Sequence, residues 1–255
     1  MRVGVRVLAT LVVALVIVFV AVHAAPAQLA GWWLRHASGG ALLLTDAQGS
    51  LYDGRGNLGD AAGRWSVPVA WTLETGALAR GVLGVRFGAS PADAVRGTLR
   101  VSPARVDASD VDVTLPAAIM TGSLPPMIAL NAGGSVVLTA TAFTLDDHAH
   151  GHASVHWAPA RVADAAAQTV DFGSVTADIV ANGERIDVTI NSAGGDTALA
   201  GTARVAGARV DADVTLTPRR QPPSSLLRTL AAFGAAAADG GTRFGYHGEW
   251  AHAAR

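Results

Sequence analysis

Apolar and polar residues alternate with a period of two along most of the chain from Ala41 onward. In the longest run, residues 208–217, Ala, Val and Leu at even positions alternate with charged or hydroxyl side chains at odd positions. Shorter alternations recur at 98–101, 186–191 and 199–205. Because successive side chains of a strand point to opposite faces, this pattern indicates half-buried strands at hairpin spacing. The sequence therefore predicts a mainly β protein, with a curved, mostly antiparallel sheet domain over residues 41–255.

Two segments of this region are similar to each other. Residues 97–108 and 201–212 are identical at nine of twelve positions, and each copy continues through Asp-Val-Thr-Leu into proline. Helical signals follow both copies, at 116–120 and at 224–233. A chance match in an Ala-, Val- and Arg-rich background is the alternative. We predict two similar halves, each a hairpin sheet with a short helix, with the repeat around 97–116 and 201–218.

The N-terminal residues differ from the rest, because residues 7–25 contain no Asp, Glu, Lys or Arg. Nineteen helical residues span about 28 Å, close to the hydrocarbon thickness of a bilayer. Arg2 and Arg6 precede the run, which favours a cytoplasmic N-terminus. We predict a signal-anchor transmembrane helix over 1–25 in a single-pass membrane protein whose bulk lies outside the cytoplasm. A cleaved signal peptide, with a small-residue site at 22–24, is the alternative.

Residues 26–40 link the predicted anchor to the sheet domain, and the first part of this interfacial linker is amphipathic. Trp32 and Trp33 stand in it, just beyond the predicted span. Indole rings are favoured at the depth of lipid headgroups, so both are candidate membrane-interface residues. A tryptophan here can equally pack on the domain that follows. The sequence leaves these two interpretations open.

The overall composition excludes some partners. The chain has 19 basic and 20 acidic residues, and this balance argues against nucleic acid or another strongly charged partner. It has no cysteine, so disulfides cannot stabilise an exported domain. We therefore expect no nucleic-acid partner, and the predicted anchor makes the membrane lipid bilayer a partner.

Four histidines are clustered in one segment, at His148, His150, His152 and His156. On a strand they would share one face, which makes them weak candidates for a zinc site. The same alternation places Ala153 and other apolar residues on the opposite, core-facing side. A solvated strand face therefore explains the histidines without metal.

No segment supports a cofactor or a catalytic site. Residues 54–59 satisfy the GxGxxG pattern, but strand-like rather than helical residues follow them, whereas a dinucleotide site needs a helix there. The sequence contains no Cys nucleophile, Gly-x-Ser-x-Gly elbow or P-loop. Its acidic residues follow the alternation of an exposed sheet face. We predict no cofactor, no catalytic residue and no enzyme activity.

Seven short motifs follow the N-terminal run in a fixed order: 49–54 (GSLYDG), 68–73 (PVAWTL), 155–158 (VHWA), 172–175 (FGSV), 194–201 (GGDTALAG), 226–233 (LLRTLAAF) and 245–248 (GYHG). Their order resembles the type II secretion system protein N family, also called general secretion pathway protein N. The resemblance runs over nearly the whole chain, and Tyr52 stands where a Trp is expected in the family's Gly-x-x-Trp-x-Gly pattern.

The resemblance implies an accessory component of the machinery that moves folded proteins from the periplasm across the outer membrane. The anchor would then lie in the bacterial inner membrane and the sheet domain in the periplasm. Its partners would be other secretion-system components, and it carries over no catalytic residues. An alternative is a periplasmic lipid-handling protein with an apolar β-groove, similar to the AsmA family. Whether short helices close the apolar face of the sheet, or leave it open, would discriminate the two.

Overall fold

A computed structural model describes residues 25–78, 80–88, 90, 92–121, 130–220, 225–237 and 240–249. Across these residues the protein is mainly β, with fourteen antiparallel strands and a few short helices, which confirms the predicted β class. The predicted transmembrane helix over 1–25 lies outside the described residues, apart from Ala25. Within the described ranges, no helix has the length and apolar character needed to cross a bilayer.

The elements fall into two compact units, Met1–Arg96 and Gly97–Arg255. The helices are α1 (Gln28–Ala37), α2 (Thr75–Leu78), α3 (Ala118–Thr121) and α4 (Ser225–Ala231). The strands are β1 (Leu42–Gly49), β2 (Asp53–Asp60), β3 (Ser66–Glu74), β4 (Leu83–Phe87), β5 (Val95–Ser102), β6 (Arg105–Pro116), β7 (Asn131–Leu145), β8 (Ala149–Ala163), β9 (Thr169–Gly183), β10 (Arg185–Ala193), β11 (Thr197–Ala206), β12 (Arg209–Pro218), β13 (Ala235–Ala236) and β14 (Thr242–Glu249).

The first unit is an antiparallel meander of β1 to β4. Strand β3 alternates strictly, with Val67, Val69, Trp71 and Leu73 buried, because every second side chain points to the core. The Trp71 indole N–H donates to the Leu51 carbonyl oxygen at 3.1 Å. A Cβ on Gly54 would lie 2.4 Å from Trp71 Cζ2, so only glycine lets β2 pass beneath this ring. The core of the first unit is thus centred on Trp71.

The second unit is a longer series of antiparallel hairpins. Strands β6 to β12 pair in chain order, β14 pairs with β12, and β13 pairs with β14. The alternating segment 208–217 forms β12, and the shorter alternations at 98–101, 186–191 and 199–205 lie in β5, β10 and β11. These strand predictions are confirmed.

The core of the second unit lies at one end of its strands. Trp157 packs against Phe172 with ring centroids 6.3 Å apart, and its indole N–H donates to the Gly133 carbonyl oxygen at 2.8 Å. Leu226 and Leu227 of α4 and Ala117, just before α3, belong to the same buried cluster. The short helices therefore cover this end of the apolar sheet face.

The two similar segments adopt the same order of elements. Strands β5 and β6 are joined by residues 103–104, and β11 and β12 by residues 207–208, a constant offset of 104 residues. The predicted helical segments 116–120 and 224–233 contain most of α3 and all of α4. Each hairpin is thus followed by a short helix. The division of the chain into two similar halves stays a prediction.

Candidate functional site

Helix α1 lies in the segment that the sequence predicts as an interfacial linker. Small residues at helical spacing face the first unit: Ala27 is fully buried, and Ala30 packs on the Trp71 cluster. Gly31 approaches β1 closely, since a Cβ there would lie 3.2 Å from the Leu44 carbonyl oxygen. Residues three and four apart share one helix face. The small residues therefore form the packing face of α1.

The opposite face of α1 is aromatic and exposed. Leu29, Trp32 and Trp33 are 49%, 63% and 65% exposed, respectively. Trp32 stacks on His36 one turn later, with ring centroids 5.2 Å apart. Neither indole ring is therefore buried in the sheet domain, and the assignment of Trp32 and Trp33 to a membrane interface stays a prediction.

Helix α1 is joined to the sheet by backbone hydrogen bonds. The Ala27 N–H donates to the Gly49 carbonyl oxygen at 3.3 Å, and the Leu51 N–H donates to the Ala25 carbonyl oxygen at 2.7 Å. Pro26 also forms a bridge with Ser50 beside the β1–β2 turn. The start of α1 is therefore held against the sheet along its backbone.

The four predicted histidines do not form a metal site. His148 lies in the turn before β8, whereas His150, His152 and His156 are exposed on β8. His152 lines a hollow of about 280 Å³ with Asp110 and Asp112. Over the residues with described positions, no group of three or more His, Cys, Asp or Glu side chains could hold a metal ion. The expected alternation holds for Ala153 and Trp157, which are buried on the other face.

The GxGxxG segment is part of a sheet. Residues 54–59 lie within β2 and pair with β3 through residues such as Gly56 and Val69. The helix N-terminus that a dinucleotide phosphate needs does not follow this segment.

Opposite charges lie side by side on the polar face of the second unit. The row Asp187, Arg204, Asp211 and His247 crosses β10, β11, β12 and β14 in direct register. Arg204 Nε lies 2.9 Å from Asp187 Oδ1, and His247 Nδ1 lies 2.9 Å from Asp211 Oδ1. The hydrogen bond from Arg204, together with Arg185, holds the pKa of Asp187 below its usual value.

Two further ionic contacts extend this face. Arg243 Nε donates to Asp213 Oδ1 at 2.7 Å and lowers the pKa of Asp213. On β6, the Thr144 hydroxyl and then the Arg105 guanidinium lower the pKa of Asp107. The sequence showed alternating charges on these strands, but only the register shows that opposite charges meet.

The apolar face of the second unit is covered unevenly. Val214 and Phe244 pack against the Trp157 cluster. The neighbouring cross-strand row of side chains, on the side away from α4, is not part of that cluster. In that row Val188, Ala203 and Ala212 are only half-buried, and Tyr246 is 57% exposed. The short helices therefore close only part of the face.

The outer edge of β14 is only partly paired. Strand β13 pairs with Thr242 and Arg243 alone. For the rest of β14, residues 244–249, the described part of the chain provides no strand on that side. An unpaired edge offers backbone N–H and C=O groups to another strand.

These features define a β-sheet protein with exposed sheet faces and an open strand edge that can contact partners. Among the described residues it has no assembled catalytic centre. The family model for type II secretion system (T2SS), protein N matches residues 40–245. The chain belongs to this family, as its sequence motifs predicted. No curated protein and no solved structure matches the chain. Family membership makes it a component of a secretion machinery of the cell envelope that interacts with other components.

Proposed function

We propose that the protein is a non-enzymatic accessory or assembly component of the type II secretion machinery. It is held at the bacterial inner membrane by an N-terminal signal anchor, with its sheet units in the periplasm. There it supports the export of folded proteins across the outer membrane. The observation that carries this proposal is the family match over residues 40–245, which includes nearly all of the strands.

The described surfaces suit docking between proteins. The edge of β14 at 244–249 can accept an extended segment of a partner by strand addition. The charged row of Asp187, Arg204, Asp211 and His247 provides a face with both signs of charge, which orients a partner more than it adds affinity.

A secretion assay tests this function. Deleting the gene should cause a folded exoprotein to accumulate in the periplasm, and the full-length chain should restore its release. A matched complementation with Tyr246→Lys, which places a charge on the sheet face next to the open edge of β14, should restore less release than Phe233→Lys. Phe233 is 81% exposed but lies outside β14, so its substitution controls for loss of a surface aromatic. Unchanged secretion in the deletion strain would contradict the proposal.

A second function has a specific observation in its favour. The half-buried row that contains Val188 and Ala203 leaves apolar surface accessible, as a lipid-handling groove would require. A fully covered apolar face would favour the assembly function, and a fully open face would favour lipid handling. Helices α3 and α4 cover only part of this face, so its cover is intermediate between the two. Phospholipid that co-purifies in a one-to-one ratio with the protein, and is lost in Ala203→Glu, would favour the groove.

A further inference from the structure

We propose that the outward face of α1 is a second, peripheral membrane contact that binds the headgroup region of an anionic phospholipid leaflet. The placement rests on the proposed inner-membrane anchoring. Beyond that anchoring, α1 itself provides a lipid-binding surface, and Arg35 recognises the phosphate of the lipid headgroup.

The aromatic face of α1 has the composition of an interfacial helix. Leu29, Trp32 and Trp33 are about half to two thirds exposed, and together they form a continuous stripe at positions i, i+3 and i+4. In the two cores, Trp71 and Trp157 are 7% exposed and their indole N–H groups are hydrogen-bonded. Exposed indoles on an amphipathic helix are typical of helices that lie in the plane of a bilayer surface.

The charge on α1 selects the kind of lipid. The helix has no acidic residue, and its last turn carries Arg35 and His36. On the sheets, Arg86, Arg204 and Arg243 each pair with a carboxylate, whereas Arg35 has no such partner within the described ranges. An exposed, unpaired guanidinium beside apolar rings matches the phosphates of an anionic leaflet.

A hollow beside this guanidinium can receive a headgroup. It has a volume of about 550 Å³ and is lined by Trp32, Arg35, His36, Gly39 and Gly40. Cβ atoms on Gly39 and Gly40 would meet no atom within 4 Å, so the side of the hollow formed by these two glycines is open. A phosphate bound to Arg35 would have the Trp32 ring beside it, at the depth where acyl chains begin.

The position of α1 in the chain favours a bilayer over a protein as its partner. Two residues separate the apolar run 7–25 from the start of α1, so a membrane anchored by that run would lie next to α1. The backbone contacts of Ala25 and Ala27 with Leu51 and Gly49 hold the helix start against the first unit. The stripe and Arg35 are therefore presented together, on a fixed helix, at the membrane exit.

The test uses the full-length chain in a Trp250→Phe background, reconstituted into vesicles whose acyl chains are brominated near the headgroup. One vesicle set is phosphatidylcholine and the other contains phosphatidylglycerol as well. Tryptophan fluorescence should be quenched, and most of the quenching should be lost in Trp32→Ser/Trp33→Ser. Phosphatidylglycerol should increase the quenching, and Arg35→Gln should remove this increase. Phe233→Ser, a surface aromatic outside α1, should leave the quenching unchanged.

A carbonate wash of the same vesicles separates this inference from the anchoring. Protein that resists the wash but shows the same quenching with and without Trp32 and Trp33 would overturn the α1 contact and leave the anchor standing. Protein that the wash removes, after showing α1-dependent quenching before it, would support the α1 contact and overturn the anchor. If α1 instead binds a protein, the reconstituted chain should show no α1-dependent quenching, and that result would overturn the inference.

Discussion

The tryptophans of α1 and those of the sheet cores have opposite environments. Trp71 and Trp157 each sit at the centre of a core, and each donates a hydrogen bond to a backbone carbonyl from the strand or turn beside it. Trp32 and Trp33 lie on a helix whose small residues face the sheet, so their large rings point outward. Burial of an aromatic residue therefore depends on which face of its helix or strand meets the rest of the sheet.

The largest expected effect separates the two kinds of tryptophan. Trp157→Ala leaves a cavity beside Phe172 and should lower the free energy of unfolding by about 3–5 kcal/mol. The matched change Trp32→Ala should alter it by less than about 0.5 kcal/mol, because that ring is exposed. Hydrogen exchange of the full-length protein should show faster exchange in β8 and β9 for Trp157→Ala only. Equal effects of the two substitutions would contradict the assignment of Trp32 to the surface.

A smaller effect is expected where α1 packs on the sheet. Gly31→Leu inserts a side chain against Leu44 and should destabilise the packing of α1 by about 1–3 kcal/mol. Hydrogen exchange should then increase at the backbone amides of Ala27 and Leu51, while β8 and β9 are unaffected. Gly76→Leu in α2 is the control, because a Cβ there has no atom within 4 Å and Gly76 is not among the glycines with positive φ. If Gly31→Leu changes nothing, α1 does not depend on close contact with β1.

The smallest effect concerns the charged face of the second unit. The pKa values of Asp187 and Asp213 are lowered in the folded protein by hydrogen bonds from Arg204 and Arg243. A carboxyl with a lowered folded pKa contributes stability above its unfolded pKa, and this is lost as the pH falls through the folded pKa. When thermal unfolding is followed from neutral to acidic pH, the Tm should therefore fall below about pH 4. Asp187→Asn should reduce this acid dependence, and an unchanged dependence would contradict the role given to the Arg204 hydrogen bond.

The strands were predictable from the sequence where one face is apolar and the other is polar, as in β12. Strand β8 was also predictable, although His148 falls in the turn because the strand begins at Ala149. Helix α2 was not predicted, because four residues are too few for a helical period to be recognised. The pairing of β14 with β12 joins segments separated by α4 and β13, and no local pattern specifies such a contact.

The candidate surfaces were only partly predictable. The stripe of Ala27, Ala30, Gly31 and Leu34 recurs at helical spacing and could have indicated the packing face of α1. If that stripe faces the sheet, Trp32 and Trp33 must point outward, because they lie on the opposite side of the helix. The row from Asp187 to His247 needs the register of four strands, which period-two alternation alone does not provide.

The most direct test of the account is a crosslinking purification of the full-length protein from bacterial inner membranes. Proteins and lipids in the eluate are both identified by mass spectrometry. The account predicts other type II secretion components in the eluate, without a one-to-one phospholipid that is lost in Ala203→Glu. Recovery of such a phospholipid without any secretion component would contradict it, and would assign the apolar face of the second unit to lipid handling.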